Sequence, residues 1–110
     1  ITRAVIPVMR AQGYGRILTV ASRQGVEPAA NLSAYNVSKA ALVSLTKTIA
    51  LELKGTGISA NTVLPGGMAT ANNRGPNLVD PAQVAALLVH LAGDAAGEIT
   101  GAAIPVYGAQ

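Results

Sequence analysis

The length, composition and charge of this chain exclude several classes of protein. It has 110 residues, of which 50% are hydrophobic and 12% are charged, with a net charge of +3 and no cysteine. Disulfides and thiolate metal sites are therefore excluded, and the eight scattered basic residues form no run that would predict a nucleic-acid partner. No apolar run has transmembrane length and the N-terminus does not resemble a signal peptide, so we expect a cytoplasmic protein without a membrane partner.

The scarcity of charge also indicates that part of the surface is covered. A self-contained domain usually carries about 25% charged residues, whereas this chain has 12%. A domain of this size buries only about 65% of its unfolded surface, which leaves little stability in reserve. We therefore expect further sequence, or the other subunits of a homo-oligomer (a dimer or tetramer), to cover part of this chain.

The predicted elements alternate between helix and strand along the whole chain. Helices are predicted over 1–12, 33–54 and from 81 onward, and strands over 16–22, 58–64 and 102–107. The segments 23–32 and 68–80 are predicted to be irregular. Asp80 followed by Pro81 is the cap-then-proline signature of a helix start. No repeat, linker or internal boundary interrupts this order, which predicts one domain over 1–110.

Two predicted helices carry apolar stripes that should pack on a sheet. In the helix over 33–54 the stripe consists of Leu42, Leu45, Ile49 and Leu53. A second apolar set on this helix consists of Ala41, Val43, Ala50 and Leu51. Two sets indicate packing on two sides, with a sheet on one and a partner subunit on the other. In the last helix the stripe consists of Val84, Leu87, Leu88 and Leu91.

This order of elements predicts an α/β fold. Strands that alternate with helices form a parallel sheet. The expected structure is a partial Rossmann-like, doubly wound parallel sheet of about three strands with three helices. So small a sheet would expose an apolar edge, which is an aggregation hazard unless it is covered. The chain is therefore expected to be part of a larger domain.

The candidate chemistry centres on Ser22, Tyr35 and Lys39. Tyr35 and Lys39 stand four residues apart at a predicted helix start, which places both side chains on one face, one turn apart. A phenol ordinarily ionises near about pH 10. A neighbouring ammonium favours the phenolate form, and the pair becomes a usable general acid/base. The Ser22 hydroxyl, at the carboxyl end of a strand where parallel sheets bind ligands, can hold a substrate oxygen beside the phenol.

Each of these features has a simpler interpretation when it is taken alone. A Tyr-x-x-x-Lys pair is more often an exposed pair at a helix start, and Pro65 followed by Gly66 is more often simply a turn. Here the pair follows a strand that ends in Ser and precedes a strand that ends in Pro-Gly. This context favours the catalytic interpretation.

The same segments resemble the short-chain dehydrogenase/reductase family. The resemblance is carried by the stretches 15–22 (GRILTVAS), 33–42 (SAYNVSKAAL), 58–66 (ISANTVLPG), 80–81 (DP), 91–94 (LAGD) and 99–108 (ITGAAIPVYG). Ser22 and Tyr35 stand thirteen residues apart, as that family has them. The match covers essentially the whole chain in the right order.

The resemblance implies a role for each matched residue. Tyr35 would exchange a proton with a carbonyl or alcohol oxygen that Ser22 positions, while Lys39 would assist Tyr35 and bind the nicotinamide ribose. The segment 65–70 is similar to the family's Pro-Gly-x-(Val/Ile)-x-Thr pattern, with Met at the aliphatic position. The implied cofactor-binding residues are Tyr35, Lys39, Pro65, Gly66, Met68 and Thr70. The implied reaction is hydride transfer between NAD or NADP and a small-molecule carbonyl or alcohol.

The sequence also departs from the family's pattern. The glycine-rich turn that grips the dinucleotide, the Asn-Asn-Ala-Gly strand end and the active-site Asn belong to a preceding half. We therefore interpret 1–110 as the carboxyl-terminal half of one such domain and expect the isolated chain to be inactive or nearly so. The choice between NAD and NADP is made in that preceding half as well. The segment from Thr70 to Asp80 is short for the family, which predicts an open, unselective pocket or a loss of residues.

Two further interpretations of the whole chain stay open. The helices over 1–12 and 33–54 resemble the elements that pair across subunit interfaces in this family, so the chain could be a non-catalytic, dimerising interaction module. The other interpretation is a retained fold with a drifted active site. The intact Ser22, Tyr35 and Lys39 argue against drift, because lost catalysis would usually leave such residues free to change.

The remaining polar and aromatic residues receive weaker predictions. Arg23 could favour an anionic substrate at the pocket mouth, although a solvated arginine is the more frequent arrangement. Tyr14 and Tyr107 are expected to pack or to lie at the surface. His90 is the single histidine, no second ligand stands at helical spacing from it, and we assign it neither a role nor a metal.

Overall fold

Helices and strands alternate along the chain, and the computed structural model describes residues 1–108. The elements are α1 (Thr2–Gln12), β1 (Gly15–Val20), α2 (Ser33–Glu52), β2 (Ile58–Pro65), α3 (Pro81–Ala92) and β3 (Ala103–Val106). Short 3₁₀ turns follow at Arg23–Gly25 and Asp94–Ala96. The last two positions of the predicted 1–110 domain lie outside the described residues. None of the described helices combines the length and the apolarity that a bilayer span needs.

The three strands form one parallel sheet in the order β1-β2-β3. Gly15 of β1 lies opposite Ile58 of β2, and Thr62 of β2 lies opposite Ala103 of β3. The central strand β2 is buried along its whole length, as expected of a parallel strand covered on both faces. The α/β, Rossmann-like fold class predicted from the sequence is confirmed.

The helices cover both faces of this sheet. Ile17 and Leu18 are neighbours on β1, so their side chains point to opposite faces. Ile17 belongs to a core cluster with residues of α1 and α2, whereas Leu18 packs against a second cluster built on α3. The sheet is therefore wound on both sides, with α1 and α2 on one face and α3 on the other.

The face of α2 that meets the sheet differs in part from the predicted stripe. Its buried residues are Val43, Thr46 and Ala50, whereas Leu45 is 55% exposed. Thr46 can lie in the core because its Oγ1 is 2.8 Å from Thr19 Oγ1 and donates to the Leu42 carbonyl at 2.8 Å. Hydrogen bonds of this kind remove the cost of burying a hydroxyl. A hydrophobicity pattern counts threonine as polar, so it missed Thr46. The rest of the predicted stripe does face the core, since Leu53 is 2% exposed and Leu42 and Ile49 pack against the core clusters.

The start of α3 agrees with the prediction. The Asp80 carboxylate accepts a hydrogen bond from the Ala82 N–H at 2.9 Å, and Pro81 occupies the first turn. Val84 and Leu91 are buried, and the rest of the predicted stripe packs against the same cluster. The cap and the apolar face together fix α3 against β1 and β2.

Candidate active site

The carboxyl ends of the three strands meet at one edge of the sheet. The Ala21 N–H donates to the Val63 carbonyl at 3.0 Å, and the Gly66 N–H donates to the Val106 carbonyl at 2.9 Å. These bonds continue the ladder past the strand ends, so the segments that follow β1, β2 and β3 lie side by side. This edge is where α/β sheets bind ligands.

Ser22 lies at this edge, just beyond β1 rather than within it as predicted. It is 6% exposed and turns the chain from β1 into the first 3₁₀ turn, where its Oγ accepts a hydrogen bond from the Gln24 N–H at 3.3 Å. The hydroxyl also donates to Gln24 Oε1. Our sequence reasoning missed Gln24. The available signal was the preference of serine for capping a turn two residues ahead of it.

Tyr35 and Lys39 lie on the first turns of α2, beside Ser22. The Lys39 Nζ is 5.7 Å from the centroid of the Tyr35 ring and donates to the Val20 carbonyl at 3.4 Å. The ammonium therefore lies between the phenol and the end of β1. A Cβ added at Gly25 would approach the Lys39 carbonyl oxygen to 3.0 Å, which shows how closely the turn after Ser22 packs on α2. The three predicted catalytic residues are thus brought to one place.

The phenol of Tyr35 is accessible and unengaged. Tyr35 is 44% exposed, and its hydroxyl forms no hydrogen bond with any of residues 1–108. The backbone beneath it is fixed by Asn36, whose Nδ2 donates to the Ala29 carbonyl at 2.8 Å. Asn36 Oδ1 also accepts a hydrogen bond from the Ala29 N–H at 3.4 Å. Both backbone groups of Ala29 therefore bond to Asn36, which ties the preceding loop to α2. This anchoring role of Asn36 was not predicted from the sequence.

The segment after β2 runs along the same edge toward α3. Pro65 is buried, Gly66 is half-buried, and Met68 and Thr70 are exposed. The segment is not wholly irregular as predicted, because Met68 and Val79 form an isolated parallel bridge. The Ala69 N–H donates to the Val79 carbonyl at 2.8 Å. This bridge ties the predicted cofactor-binding segment to the start of α3.

An open depression of about 560 Å³ lies beside Thr70. It is lined by Ala69, Thr70, Ala71, Arg74, Gly75, Leu78, Asp80 and Pro81. Ser22, Tyr35 and Lys39 do not line it, so the predicted site residues fall into two groups along the edge. The Thr70 hydroxyl and the Arg74 guanidinium form no hydrogen bond with residues 1–108. Free donors of this type fit the amide and phosphate oxygens of a nicotinamide nucleotide, while no glycine-rich phosphate cradle is present in the described part of the chain.

Three side chains, those of Arg23, Glu27 and Tyr107, form a cluster at the carboxyl edge of the sheet. The Arg23 guanidinium lies over the Tyr107 ring, 4.6 Å from its centroid, and its Nε is 2.9 Å from Glu27 Oε2. Arg23 is therefore engaged with two neighbours, which matches neither the arginine free for an anionic substrate nor the solvated arginine that the sequence predicted. Burial raises the pKa of the Tyr107 phenol above its ordinary value, and the Glu27 carboxylate raises this pKa further against the opposing effect of Arg23.

Tyr14, by contrast, lies at the opposite end of the sheet. Its hydroxyl donates to Asp94 Oδ1 at 3.1 Å, and the Arg16 guanidinium lies over its ring. Tyr14 is 44% exposed, so it lies at the surface, as one of the two predicted arrangements had it, with its hydroxyl and ring engaged at the strand starts.

Comparison with known proteins gives several relatives of similar fold. A short-chain dehydrogenase/reductase from Penicillium canescens, olcF, is 36% identical over 94% of this chain and 51% of its own length. The acetoin dehydrogenase of Enterobacter cloacae has a TM-score of 0.89 at 33% identity, covering 96% of this chain and 46% of that one. The 3-ketoacyl-(acyl-carrier-protein) reductase of Brucella melitensis, solved in complex with NADH, also has a TM-score of 0.89, at 30% identity over 98% of this chain and 50% of that one.

The chain spans about half the length of these relatives. Its alignment with the Penicillium canescens protein runs over 132 residues, more than the chain itself contains, so that relative carries residues between matched segments that this chain lacks. The family model described as short chain dehydrogenase matches residues 1–78, a range that includes Ser22, Tyr35, Lys39 and the segment 65–70. The chain belongs to the short-chain dehydrogenase/reductase family.

Proposed function

We propose that this chain is the carboxyl-terminal part of one domain of a cytoplasmic NAD(P)-dependent oxidoreductase that interconverts a small carbonyl and the corresponding alcohol. The observation that carries this proposal is the grouping of Ser22, Tyr35 and Lys39 at the carboxyl edge of the sheet. Family membership supports it, as do the dehydrogenases and reductases among the relatives. The activity belongs to the whole protein, of which this chain contributes the proton-transferring residues.

The chain's own contribution is to hold and move one proton. During reduction the Tyr35 hydroxyl donates its proton to the carbonyl oxygen, and during oxidation the phenolate takes the proton back. The Lys39 ammonium, which lies over the ring at 5.7 Å, stabilises the phenolate that reduction leaves behind. Ser22 donates its O–H to the same substrate oxygen, in the manner of an oxyanion donor.

The cofactor residues are those predicted from the sequence. Bound NAD(P) supplies or accepts the hydride at the substrate carbon. Lys39 and the Thr70 hydroxyl would hold its nicotinamide end, together with the backbone over 65–68. The chain offers no cradle for the phosphates within residues 1–108. We therefore propose that residues outside this chain bind them, and that the isolated chain has little or no activity.

The short segment between Thr70 and Asp80 bears on the substrate. Together with the depression of about 560 Å³, it leaves the edge of the sheet open. An open site favours broad acceptance of small substrates, because few side chains close around them. The hydroxyketone and 3-oxoacyl substrates in the names of the two solved neighbours are therefore the first compounds to assay.

Substitution of Tyr35 by Phe tests this proposal directly. We expect Tyr35→Phe in the full-length protein to lower kcat by roughly 10²- to 10⁴-fold, since it removes the general acid while keeping the ring. The measurement is the absorbance change of NADH or NADPH with acetoin as the substrate. Tyr14→Phe is the matched control, because Tyr14 lies at the opposite end of the sheet, and it should leave kcat nearly unchanged. A Tyr35→Phe protein of wild-type rate would refute the assignment.

A second candidate function is that of a dimerising interaction module, and one surface favours it. The groove between α1 and α2 has a volume of about 470 Å³ and is lined by Thr2, Arg3, Ile6, Pro7, Leu45 and Ile49. Leu45 is 55% exposed there, although a leucine is usually buried. A second copy of the chain could cover this groove without any catalytic role.

Sedimentation of the purified chain, together with melting of the full-length protein, separates the two candidates. Leu45→Glu should convert a dimer to a monomer, because it places a charge in the apolar groove. Val89→Glu is the matched control, since Val89 is 73% exposed but lies on α3, across the sheet. A dimer of the chain that survives Tyr35→Phe favours the module if the melting of the full-length protein does not respond to NADH or NADPH, whereas a cofactor-dependent rise in the melting temperature of the full-length protein favours the enzyme.

A further inference from the structure

We propose that Gln24 is a positioning residue that controls the direction of the Ser22 hydroxyl hydrogen. This inference rests on the proposed function, since it concerns the serine that would hold the substrate oxygen. The Ser22 hydroxyl donates to Gln24 Oε1 and accepts from the Gln24 N–H at 3.3 Å. Within residues 1–108 both bonds of this hydroxyl come from Gln24, two positions along the chain, so Gln24 sets how the hydroxyl is oriented.

The hydrogen-bonding capacity of serine makes this contact consequential. A hydroxyl has one hydrogen to donate and two lone pairs to accept with. While the hydrogen points at Gln24 Oε1, Ser22 has no donor for a substrate. A carbonyl oxygen can only accept, so a substrate carbonyl gains nothing from Ser22 in this arrangement. The arrangement in the structure is therefore a resting one.

A half-turn of the Gln24 amide produces the productive arrangement. The amide has a carbonyl oxygen at one end and an NH₂ group of nearly the same shape at the other. With the NH₂ toward Ser22, Gln24 donates to the serine oxygen and frees the serine hydrogen for the substrate oxygen. The Gln24 side chain forms no other hydrogen bond within residues 1–108, so the turn breaks only the bond that it replaces.

The surroundings hold Ser22 while leaving Gln24 able to turn. Ser22 is 6% exposed and its backbone is held by the 3₁₀ turn, in which the Gly25 N–H donates to the Ser22 carbonyl at 2.9 Å. Gln24 is half-buried. The serine oxygen therefore stays in place during the change, and only the hydrogen and the distant amide move.

The proposal predicts a distinctive order among Gln24 variants. A carboxylate can only accept, so Gln24→Glu should keep the serine hydrogen pointed away from the substrate. We expect this variant to lower kcat about 100-fold, as the loss of one oxyanion donor does, with little change in KM. Gln24→Met has a similar shape but no hydrogen bond, which leaves the serine hydrogen free to turn. Its kcat should fall by no more than about fivefold, a smaller effect because a donor is retained.

The experiment measures kcat and KM of the full-length protein with acetoin and NADH or NADPH for both Gln24 variants, Ser22→Ala, and the double variant Ser22→Ala/Gln24→Glu. If Gln24 acts through Ser22, the double variant should be no slower than Ser22→Ala alone, a non-additivity that a purely structural role would not produce. Val26→Glu adds the same charge to the same loop at a position that is 48% exposed, and its kcat should stay near that of the wild type.

The outcomes separate this inference from the proposed function. The inference is overturned if Gln24→Glu has a rate close to that of the wild type, or if the effects of Ser22→Ala and Gln24→Glu multiply. In either case a slow Tyr35→Phe protein would still support the oxidoreductase assignment. Should Tyr35→Phe retain the full rate, the proposed function fails and the positioning role fails with it. A slow Gln24→Glu protein with a normal Val26→Glu control supports both.

Discussion

The two ends of the sheet use their polar side chains in opposite ways. At the strand starts, the Tyr14 hydroxyl donates to Asp94 at 3.1 Å and Arg16 donates to the Gly93 carbonyl at 3.4 Å. The Ala60 N–H there donates to Thr100 Oγ1 at 3.1 Å. At the strand ends, the Tyr35 hydroxyl and the Arg74 guanidinium form no hydrogen bond with any residue that the structure describes. The polar groups named at the strand starts are engaged with one another, whereas the strand ends combine engaged side chains such as Arg23 with these two free groups.

This difference separates stability from activity along a single sheet. Hydrogen bonds formed inside the protein each contribute about 0.5–1.5 kcal/mol to the free energy of unfolding, and a buried donor or acceptor left without a partner costs more than that. Exposed free groups cost little because water can bind them, and they remain available to a ligand. We therefore expect substitutions at the strand starts to change the free energy of unfolding, and substitutions at the strand ends to change kcat.

The largest effect on stability is expected at Gly57, where the chain crosses the start of β1. Gly57 has a φ of +81°, and a Cβ added there would lie 2.0 Å from the Gly13 carbonyl oxygen. Gly57→Ala should cost about 1–3 kcal/mol for the left-handed conformation and about 1–3 kcal/mol more for the overlap. Urea unfolding measures the loss as a lower midpoint at an unchanged slope.

Gly55 provides the control for Gly57. Its φ of +79° is almost the same, but nothing lies within 4 Å of a Cβ added there. Gly55→Ala should therefore lose only the conformational part, about 1–3 kcal/mol. Equal losses at the two positions would mean that the close approach between Gly57 and Gly13 contributes nothing to the packing of the strand starts.

The sequence predicted the strand ends better than the strand starts, for a physical reason. Tyr35 and Lys39 are one helical turn apart, so their proximity follows from local geometry that a sequence displays directly. The contacts at the strand starts, between Gly57 and Gly13 and between Tyr14 and Asp94, join residues that are distant along the chain. Such contacts depend on the assembled fold, and no local sequence pattern predicts them.

Hydropathy failed in a related way at the core. Thr46 and Asn61 are fully buried although both count as polar, because each finds its hydrogen-bond partners only in the folded chain. In the sequence, Asn61 stands out solely as a member of a family motif. Its role in joining β2 to the segment before β3 became visible only with the fold.

A smaller effect is expected at Asn61, a bonded side chain of β2. Asn61 Nδ2 donates to the Ile99 carbonyl at 2.8 Å, and its Oδ1 accepts from the Ala102 N–H at 3.0 Å. Asn61→Ala should cost about 2 kcal/mol, since both backbone groups lose their partner. The free energy of unfolding from urea titration measures this loss, while kcat should stay the same.

Ser59 is the matched control on the same strand. It is 2% exposed, and its Oγ has no hydrogen-bond partner in the structure of residues 1–108. Ser59→Ala removes an unsatisfied buried hydroxyl, so it should leave the stability unchanged or raise it by up to about 1 kcal/mol. Destabilisation by Ser59→Ala as large as that by Asn61→Ala would contradict the view that bonded side chains stabilise the strand starts.

The smallest effect is expected at Tyr107, which lies at the strand ends yet is engaged with Arg23. Burial, and then the Glu27 carboxylate, raise the pKa of its phenol above the ordinary 10.0. The unfolded chain therefore releases this proton at a lower pH than the folded chain. The resulting contribution to stability is complete below about pH 10 and is lost as the pH rises through the higher pKa of the folded state.

Tyr107→Phe should remove that alkaline loss, because phenylalanine has no proton to release. Urea titrations at several pH values around and above the ordinary phenol pKa would show a shallower decline of stability in the variant than in the wild type. Glu27→Gln should flatten the decline only in part, since burial is the larger cause of the raised pKa and remains. The contrary outcome is that Tyr107→Phe lowers kcat and leaves the alkaline decline of stability intact. Tyr107 would then act in catalysis with the free groups of the strand ends, and a contact such as that with Arg23 would not identify a residue as purely structural.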